Sequence, residues 1–165
     1  MLLALTGFMG SGKSTVGPLV ADALGCTFVD LDTLIEEEAG CPITQIFDLK
    51  GEPGFRKIEK QVFDKTIRKY ADGNAVLALG GGTVTIPGVI PVLQEKTTCI
   101  YLKANLETLQ KRLTGQLLGR PLADERIALR LASREHLYEK AAHVVLETDN
   151  CSAQEIADEI IITCL

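Results

Sequence analysis

The chain has 165 residues, 46% of them apolar and 24% charged, with a formal net charge of −5 and a pI near 5.1. This is the composition of one soluble domain with a sizeable core. It argues against a surface devoted to nucleic acid, which would be basic, and no apolar run reaches the length that spans a bilayer.

Five cysteines (Cys26, Cys41, Cys99, Cys151 and Cys164) are scattered and odd in number. None forms a C-x-x-C pair, and two histidines accompany them. Reduced thiols in a cytoplasmic protein are therefore expected, not structural zinc or disulfides. The apolar start leaves no room for a signal peptide.

Residues 1–6 are an apolar run of strand length, Met-Leu-Leu-Ala-Leu-Thr. Gly7, Gly12, Lys13 and Ser14 then match the phosphate-loop pattern G-x-x-x-x-G-K-[ST]. Glycines let the loop turn its N–H groups inward on phosphate oxygens, lysine reaches the β- and γ-phosphates, and the serine hydroxyl suits Mg²⁺. Val16, Leu19, Val20 and Leu24 give the helical spacing that must follow, and Gly25 ends it. An ordinary glycine-rich turn with a chance lysine is the weaker reading.

A second strand is predicted over 26–30, ending in Asp30-Leu31-Asp32. Two carboxylates at a strand end can both face the crevice where open α/β sheets bind ligands. A short helix over 33–39 carries Glu36, Glu37 and Glu38, read as a solvated face. A further helix from about 43 ends before Gly51; Asp48-Leu49-Lys50-Gly51 matches the D-x-x-G of nucleotide switches, but no N-K-x-D follows. After a Gly51–Gly54 turn, a helix is predicted over 55–70. Arg56 falls in its first turn, where a cation opposes the helix dipole. An anion-binding arginine and a solvated one fit equally well.

Residues 75–79 read as a strand buried on both faces, followed by Gly80-Gly81-Gly82. Three glycines at a strand end permit close approach of backbone to a ligand. A helix over 87–94, a strand over 97–102 and a helix over 106–113 come next. Residues 114–122, with two glycines and Arg120, read as a lid loop. A helix over 124–142 carries Arg126, Arg130 and Arg134 at four-residue intervals, consistent with a solvated face. A strand over 144–146 and a helix capped by Ser152 finish the chain. Strands alternating with helices imply a parallel sheet covered on both faces.

The loop, the D-x-D, Phe55-Arg56-Lys57-Ile58-Glu59, Leu79-Gly80-Gly81-Gly82-Thr83, Arg120-Pro121-Leu122 and Arg134-x-x-x-Tyr138 occur in one order. Together they resemble shikimate kinase, in the nucleoside-monophosphate-kinase-like group of P-loop enzymes. The resemblance implies a three-layer α/β/α fold with a five-stranded parallel sheet. It implies one domain over 1–165, acceptor-binding helices over about 31–70 and a mobile lid over about 113–123. It also implies transfer of the ATP γ-phosphate to the 3-hydroxyl of shikimate, with Mg²⁺ held by Ser14 directly and by Asp30 through water.

Gly10, Ser11, Gly12, Lys13, Ser14, Thr15, Arg112 and Arg120 then belong to ATP. Asp32, Arg56, Gly80, Gly81, Gly82 and Arg134 belong to the acceptor. Asp32 would act as base, with Lys13 and Arg120 neutralising the transferring group. A cytoplasmic monomer is expected, with shikimate and ATP as partners and neither nucleic acid nor membrane. Four features depart from the family pattern: His136-Leu137 precedes Tyr138 where proline and leucine are frequent, Ala123 follows Leu122, the short lid carries Leu117 and Leu118 where charged residues are common, and residues 149–152 offer no arginine to the adenine. A kinase for another hydroxy acid, such as gluconate, or a nucleotide switch remain the alternatives.

Overall fold

A computed structural model describes residues 1–116 and 124–164. Five strands form one parallel sheet: β1 (Leu2–Thr6), β2 (Thr27–Asp30), β3 (Ala75–Ala78), β4 (Thr98–Lys103) and β5 (Val144–Glu147), in spatial order β2-β3-β1-β4-β5. Seven α-helices are described: α1 (Lys13–Leu24), α2 (Leu31–Ala39), α3 (Ile43–Lys69), α4 (Val89–Lys96), α5 (Leu106–Gln116), α6 (Asp124–Ala141) and α7 (Ala153–Cys164). The α/β class, the five strands and their parallel sense are as the sequence implies.

Every residue of β1 and β3 is buried. Alternate residues of a strand face opposite ways, and β1 divides accordingly. Leu3 and Leu5 join Val16 and Val20 of α1 and Ile156 and Ile160 of α7 in one apolar layer. Leu2 and Ala4 join Phe63 of α3, Leu93 of α4 and Tyr138 of α6 in the other. A continuous apolar run is what such a doubly covered strand requires.

Chain order is reversed at β1, whose neighbours β3 and β4 lie on opposite sides. The crevice beyond the strand ends at such a switch point is where open α/β sheets take ligands. The ends of β1, β2 and β3 deliver the phosphate loop, Asp30 and the glycine run to it.

Three local expectations need correction. The turn predicted over Gly51–Gly54 contracts to Gly51 alone (φ 66°, ψ −178°), and Ile43–Lys69 runs on as one kinked helix. Pro53 is tolerated because it stands just past the break, where a helical N–H is not required. Arg56 therefore lies beyond the first turn, and its carboxylate neighbours Glu52 and Glu59 are on its own helix. Asp32 sits in the first turn of α2, not on the strand, because the Asp30 side chain accepts from the Asp32 and Thr33 N–H groups at 2.9 and 3.4 Å and starts the helix. Finally, 113–116, assigned to a lid, belong to α5; Leu113 is buried against Gly10 of the phosphate loop. Arg120 lies outside the described residues.

Helix α7 opens with a reciprocal capping box. Glu155 N–H donates to Ser152 Oγ at 3.1 Å, and Ser152 N–H donates to Glu155 Oε2 at 2.6 Å. Ser152→Ala removes one of the two bonds. It should destabilise the fold by about 1 kcal/mol, a fall in Tm of roughly 2–4 °C for a chain of this size, measurable by calorimetry.

Candidate active site

The phosphate loop turns on glycine. Gly12 has φ 103°, in the left-handed region that favours glycine, and it precedes α1 directly. Among the described residues, the N–H groups of Gly10, Gly12, Lys13 and Ser14 have no acceptor on the chain. With the N-terminus of α1 behind them they form an anion cradle. Lys13 is only 9% exposed. Its Nζ folds back to donate to the Gly7 and Phe8 carbonyls at 2.7 and 3.0 Å. Burial pulls its pKa down to about 8, opposed by Asp32 and Asp30 and aided by Arg134.

Asp30 has two tasks. One oxygen caps α2, and the other accepts from Ser14 Oγ at 2.9 Å. A hydroxyl and a carboxylate, both hard oxygens, thus lie together beside the cradle. Among the described residues no cluster of three or more metal-ligating side chains exists. That donor set fits Mg²⁺, which keeps several waters and takes the rest of its shell from substrate phosphates.

Asp32 stands behind them. Its pKa is raised to about 6, first by burial, then by Asp30 and Glu59, with Lys13 opposing. A carboxylate so placed can accept a proton near neutral pH.

The glycine run brings three further elements together. A Cβ on Gly80 would lie 2.9 Å from Glu59 Oε2, and 3.1 Å from both Asp32 Oδ1 and Thr83 Oγ1. One on Gly81 would lie 3.4 Å from the Met9 N and 3.9 Å from Arg134 Nη1. One on Gly82 would meet Arg56 Nη2 at 2.2 Å. Each glycine therefore accommodates a different functional group. Arg56 Nη1 donates to Glu59 Oε1 at 2.6 Å, while its buried Nε has no partner among the described residues. Tyr138, four residues after Arg134 on α6, donates its hydroxyl to the Gly81 carbonyl at 2.5 Å. Arg134 Nη1 lies beside Gly81 and Arg56 Nη2 beside Gly82, so the two guanidiniums converge on adjacent glycines. Arg126 and Arg130, in register with Arg134 in the sequence, are exposed.

A cavity of about 460 Å³ runs from Asp32, Gly80 and Gly81 along the loop to Arg112, Cys151, Ala153 and Ile156. Arg112 is a strut as well as a wall. Its Nη1 donates to the Gly10 and Ser11 carbonyls at 3.2 and 3.3 Å, and Nη2 to the Thr148 carbonyl at 3.2 Å. It ties the phosphate loop to the segment after β5.

A family model described as Shikimate kinase matches residues 9–165. The chain belongs to the shikimate kinase family. The shikimate kinase of Chlorobium chlorochromatii (strain CaD3) is 41% identical over 160 residues, with 90% of this chain and 82% of that protein covered. That of Legionella pneumophila (strain Corby) is 42% identical over 162 residues, covering 95% and 90%. Among solved structures, shikimate kinase from Acinetobacter baumannii in complex with shikimate superimposes with a TM-score of 0.91 at 32% identity, covering 99% of this chain and 92% of that one. Shikimate kinase from Aquifex aeolicus gives 0.85 at 31% identity, covering 99% and 96%.

Of the residues expected from the sequence, the structure gathers Gly10, Ser11, Gly12, Lys13, Ser14, Thr15, Asp30, Asp32, Gly80, Gly81 and Arg112 around one cavity. Gly82, Arg56 and Arg134 border it through the glycine run. Sequence reasoning assigned no role to Glu59, which is fully buried between Arg56 and Thr83. A signal was present: Glu59 lies four residues after Phe55 and three before Val62, on the apolar face of α3. A carboxylate there needs a partner inside the protein.

Gly82 has φ −106° and ψ 2°, which any residue adopts. Gly82→Ala therefore acts only through its Cβ against Arg56. It should raise the KM for an anionic acceptor by roughly tenfold or more and leave the KM for ATP within about twofold, since only a charged hydrogen bond is lost. Steady-state kinetics with each substrate varied checks this.

The pH dependence has a definite sign. The base form of Asp32 is lost as pH falls through about 6, and the charge of Lys13 is lost as pH rises through about 8. The kcat/KM profile, which reports groups of the free enzyme, should fall on both sides of that window. Asp32→Asn should remove the acid limb.

Proposed function

We propose that this protein transfers the γ-phosphate of ATP to the 3-hydroxyl of shikimate, giving ADP and shikimate 3-phosphate. The observation that carries this reading is the meeting of a phosphate cradle, a buried carboxylate poised near neutral pH and two converging arginines on one glycine run. In this reading the chain acts as one P-loop kinase domain. Helices α2 and α3 form the acceptor side, and the protein is a cytoplasmic monomer. No helix among the described residues is long and apolar enough to cross a membrane.

Phosphoryl transfer asks mainly for positioning and charge stabilisation. The free N–H groups of the loop take the phosphate oxygens. Lys13 gives up its carbonyl partners and turns its ammonium on the β- and γ-phosphates. Ser14 and Asp30 would hold Mg²⁺, which would draw charge off the same phosphates. Arg56 and Arg134 grip the acceptor carboxylate in a planar fork that lysine cannot supply. Asp32 orients the acceptor hydroxyl and takes its proton as the new O–P bond forms. The base of ATP lies at the far end of the cavity, against Arg112, Cys151 and Ala153.

Coupled measurement of ADP release tests the reading. Release should depend on shikimate; release with gluconate alone would assign a different acid kinase, and no acceptor-stimulated release would assign a nucleotide switch. Arg134→Ala should raise the KM for shikimate by roughly 30-fold or more, the loss of a charged partner to a carboxylate being worth about 2–5 kcal/mol, with little change for ATP.

Asp32→Asn should lower kcat by at least roughly 100-fold, the usual worth of a general base, and stabilise the fold at pH 7. The folded pKa of Asp32, about 6, exceeds its ordinary 3.8. Its contribution to stability is therefore full below about pH 4 and lost as pH rises through about 6. Relief of the ionised, part-buried carboxylate should be worth about 1 kcal/mol after solvent screening, read as a higher Tm at pH 7 and no gain at pH 4.

A further inference from the structure

We propose that Thr83 is a positioning residue for the acceptor carboxylate, acting through Glu59 on Arg56. The inference rests on the function proposed above and deepens it.

Thr83 and Glu59 are both fully buried. Thr83 Oγ1 donates to Glu59 Oε2 at 2.9 Å, and Glu59 Oε1 accepts from Arg56 Nη1 at 2.6 Å. The two carboxylate oxygens are thereby divided between two donors. This division decides what Arg56 has left. A carboxylate and a guanidinium alone tend to a two-point fork, each oxygen taking one N–H. Here the threonine hydroxyl takes one oxygen and, among the described residues, Glu59 holds Arg56 at one nitrogen. The contact at Arg56 Nη2 is a longer one, 3.5 Å from the more exposed Glu52, and the buried Nε has no partner among the described residues. Those N–H groups are the ones available to an incoming anion.

Thr83 is itself well anchored. It opens the single 3-10 turn Thr83–Thr85, its N–H donates to the Gly80 carbonyl at 3.3 Å, and its carbonyl accepts from the Ile86 N–H at 3.1 Å. The hydroxyl therefore stays in place while the flexible Glu59 and Arg56 side chains take their positions from it. Gly80 is part of the arrangement, since a Cβ there would crowd both Thr83 Oγ1 and Glu59 Oε2, at 3.1 and 2.9 Å.

Without the hydroxyl, Glu59 Oε2 becomes an unsatisfied buried carboxylate oxygen, which a protein avoids. The donor within reach is Arg56. Glu59 would close a fork on the guanidinium and withdraw from the acceptor the N–H groups that grip it.

The test compares Thr83→Val, which keeps shape and loses the hydroxyl, with Thr83→Ala and Thr83→Ser. Thr83→Val should weaken shikimate binding to the free protein by roughly tenfold, within the range for loss of a charged hydrogen bond. It should raise the KM for shikimate by the same factor and leave kcat and the KM for ATP within about threefold. Thr83→Ala should move the same constant in the same direction, and Thr83→Ser should restore the wild-type value. With Glu59→Gln as background, Thr83→Val should add little, because the two residues act in series.

Equal shikimate binding by wild type and Thr83→Val overturns the inference. So does a Thr83→Ser protein as impaired as Thr83→Val, since serine keeps the hydroxyl, or an additive double variant. Failure of the wild-type protein to bind shikimate at all would instead overturn the proposed function.

Discussion

Three absent side chains hold this site together. Gly80, Gly81 and Gly82 sit at the end of β3, and each would collide with, or crowd, a different functional group if it carried a Cβ. Glu59 and Asp32 close on the first, Arg134 and the phosphate loop on the second, and Arg56 on the third. These groups come from the loop between β1 and α1 and from α2, α3 and α6, far apart in the chain. A strand end in a parallel sheet is a rigid platform, and removing its side chains lets four elements reach one another across it. The close spacing of donor and acceptor halves of the site follows from that.

Electrostatics then decides what the site can hold. Lys13, Arg56 and Arg134 face Asp30, Asp32 and Glu59 in a largely buried setting. Charges removed from water need partners, and the partners present are partial ones. Lys13 rests on backbone carbonyls, the Arg56 Nε has no partner among the described residues, and Arg134 lies against the glycine run. All three cations are held in place, yet each keeps capacity for an anion. The phosphates of ATP and the carboxylate of the acceptor are the anions that this arrangement suits. Asp32 differs: burial first, then like charges, raise its pKa to about 6, where a carboxylate can exchange a proton.

The supporting contacts explain why the elements lie as they do. Asp30 both caps α2 and bonds Ser14, so the start of the helix bearing Asp32 is tied to the phosphate loop. Arg112 ties the other side of that loop to the Thr148 carbonyl after β5. Glu36, read from the sequence as a solvated residue, accepts from the Ile43 N–H at 2.9 Å and so links the end of α2 to the start of α3.

What the amino-acid sequence determined by itself was whatever depends on short spacing. The phosphate loop, the strand-length apolar runs of β1 and β3 and the helix caps are local, because neighbouring residues satisfy their own backbone requirements. The alternation of strands and helices carried the parallel sheet with them. Arg56 was ambiguous in the sequence, and the dipole argument for it failed: the helix resumes at Glu52, and Glu52 and Glu59 flank Arg56. Identical four-residue spacing left Arg134 on one helix with Arg126 and Arg130; family resemblance singled it out, and the tertiary structure supplied the physical reason, packing against Gly81 while its two neighbours are exposed. Likewise only packing revealed Glu59 and Thr83, whose bond joins residues 24 apart in the chain. Burial, charge coupling and the shared use of one donor are properties of groups meeting through space, and no local pattern encodes them.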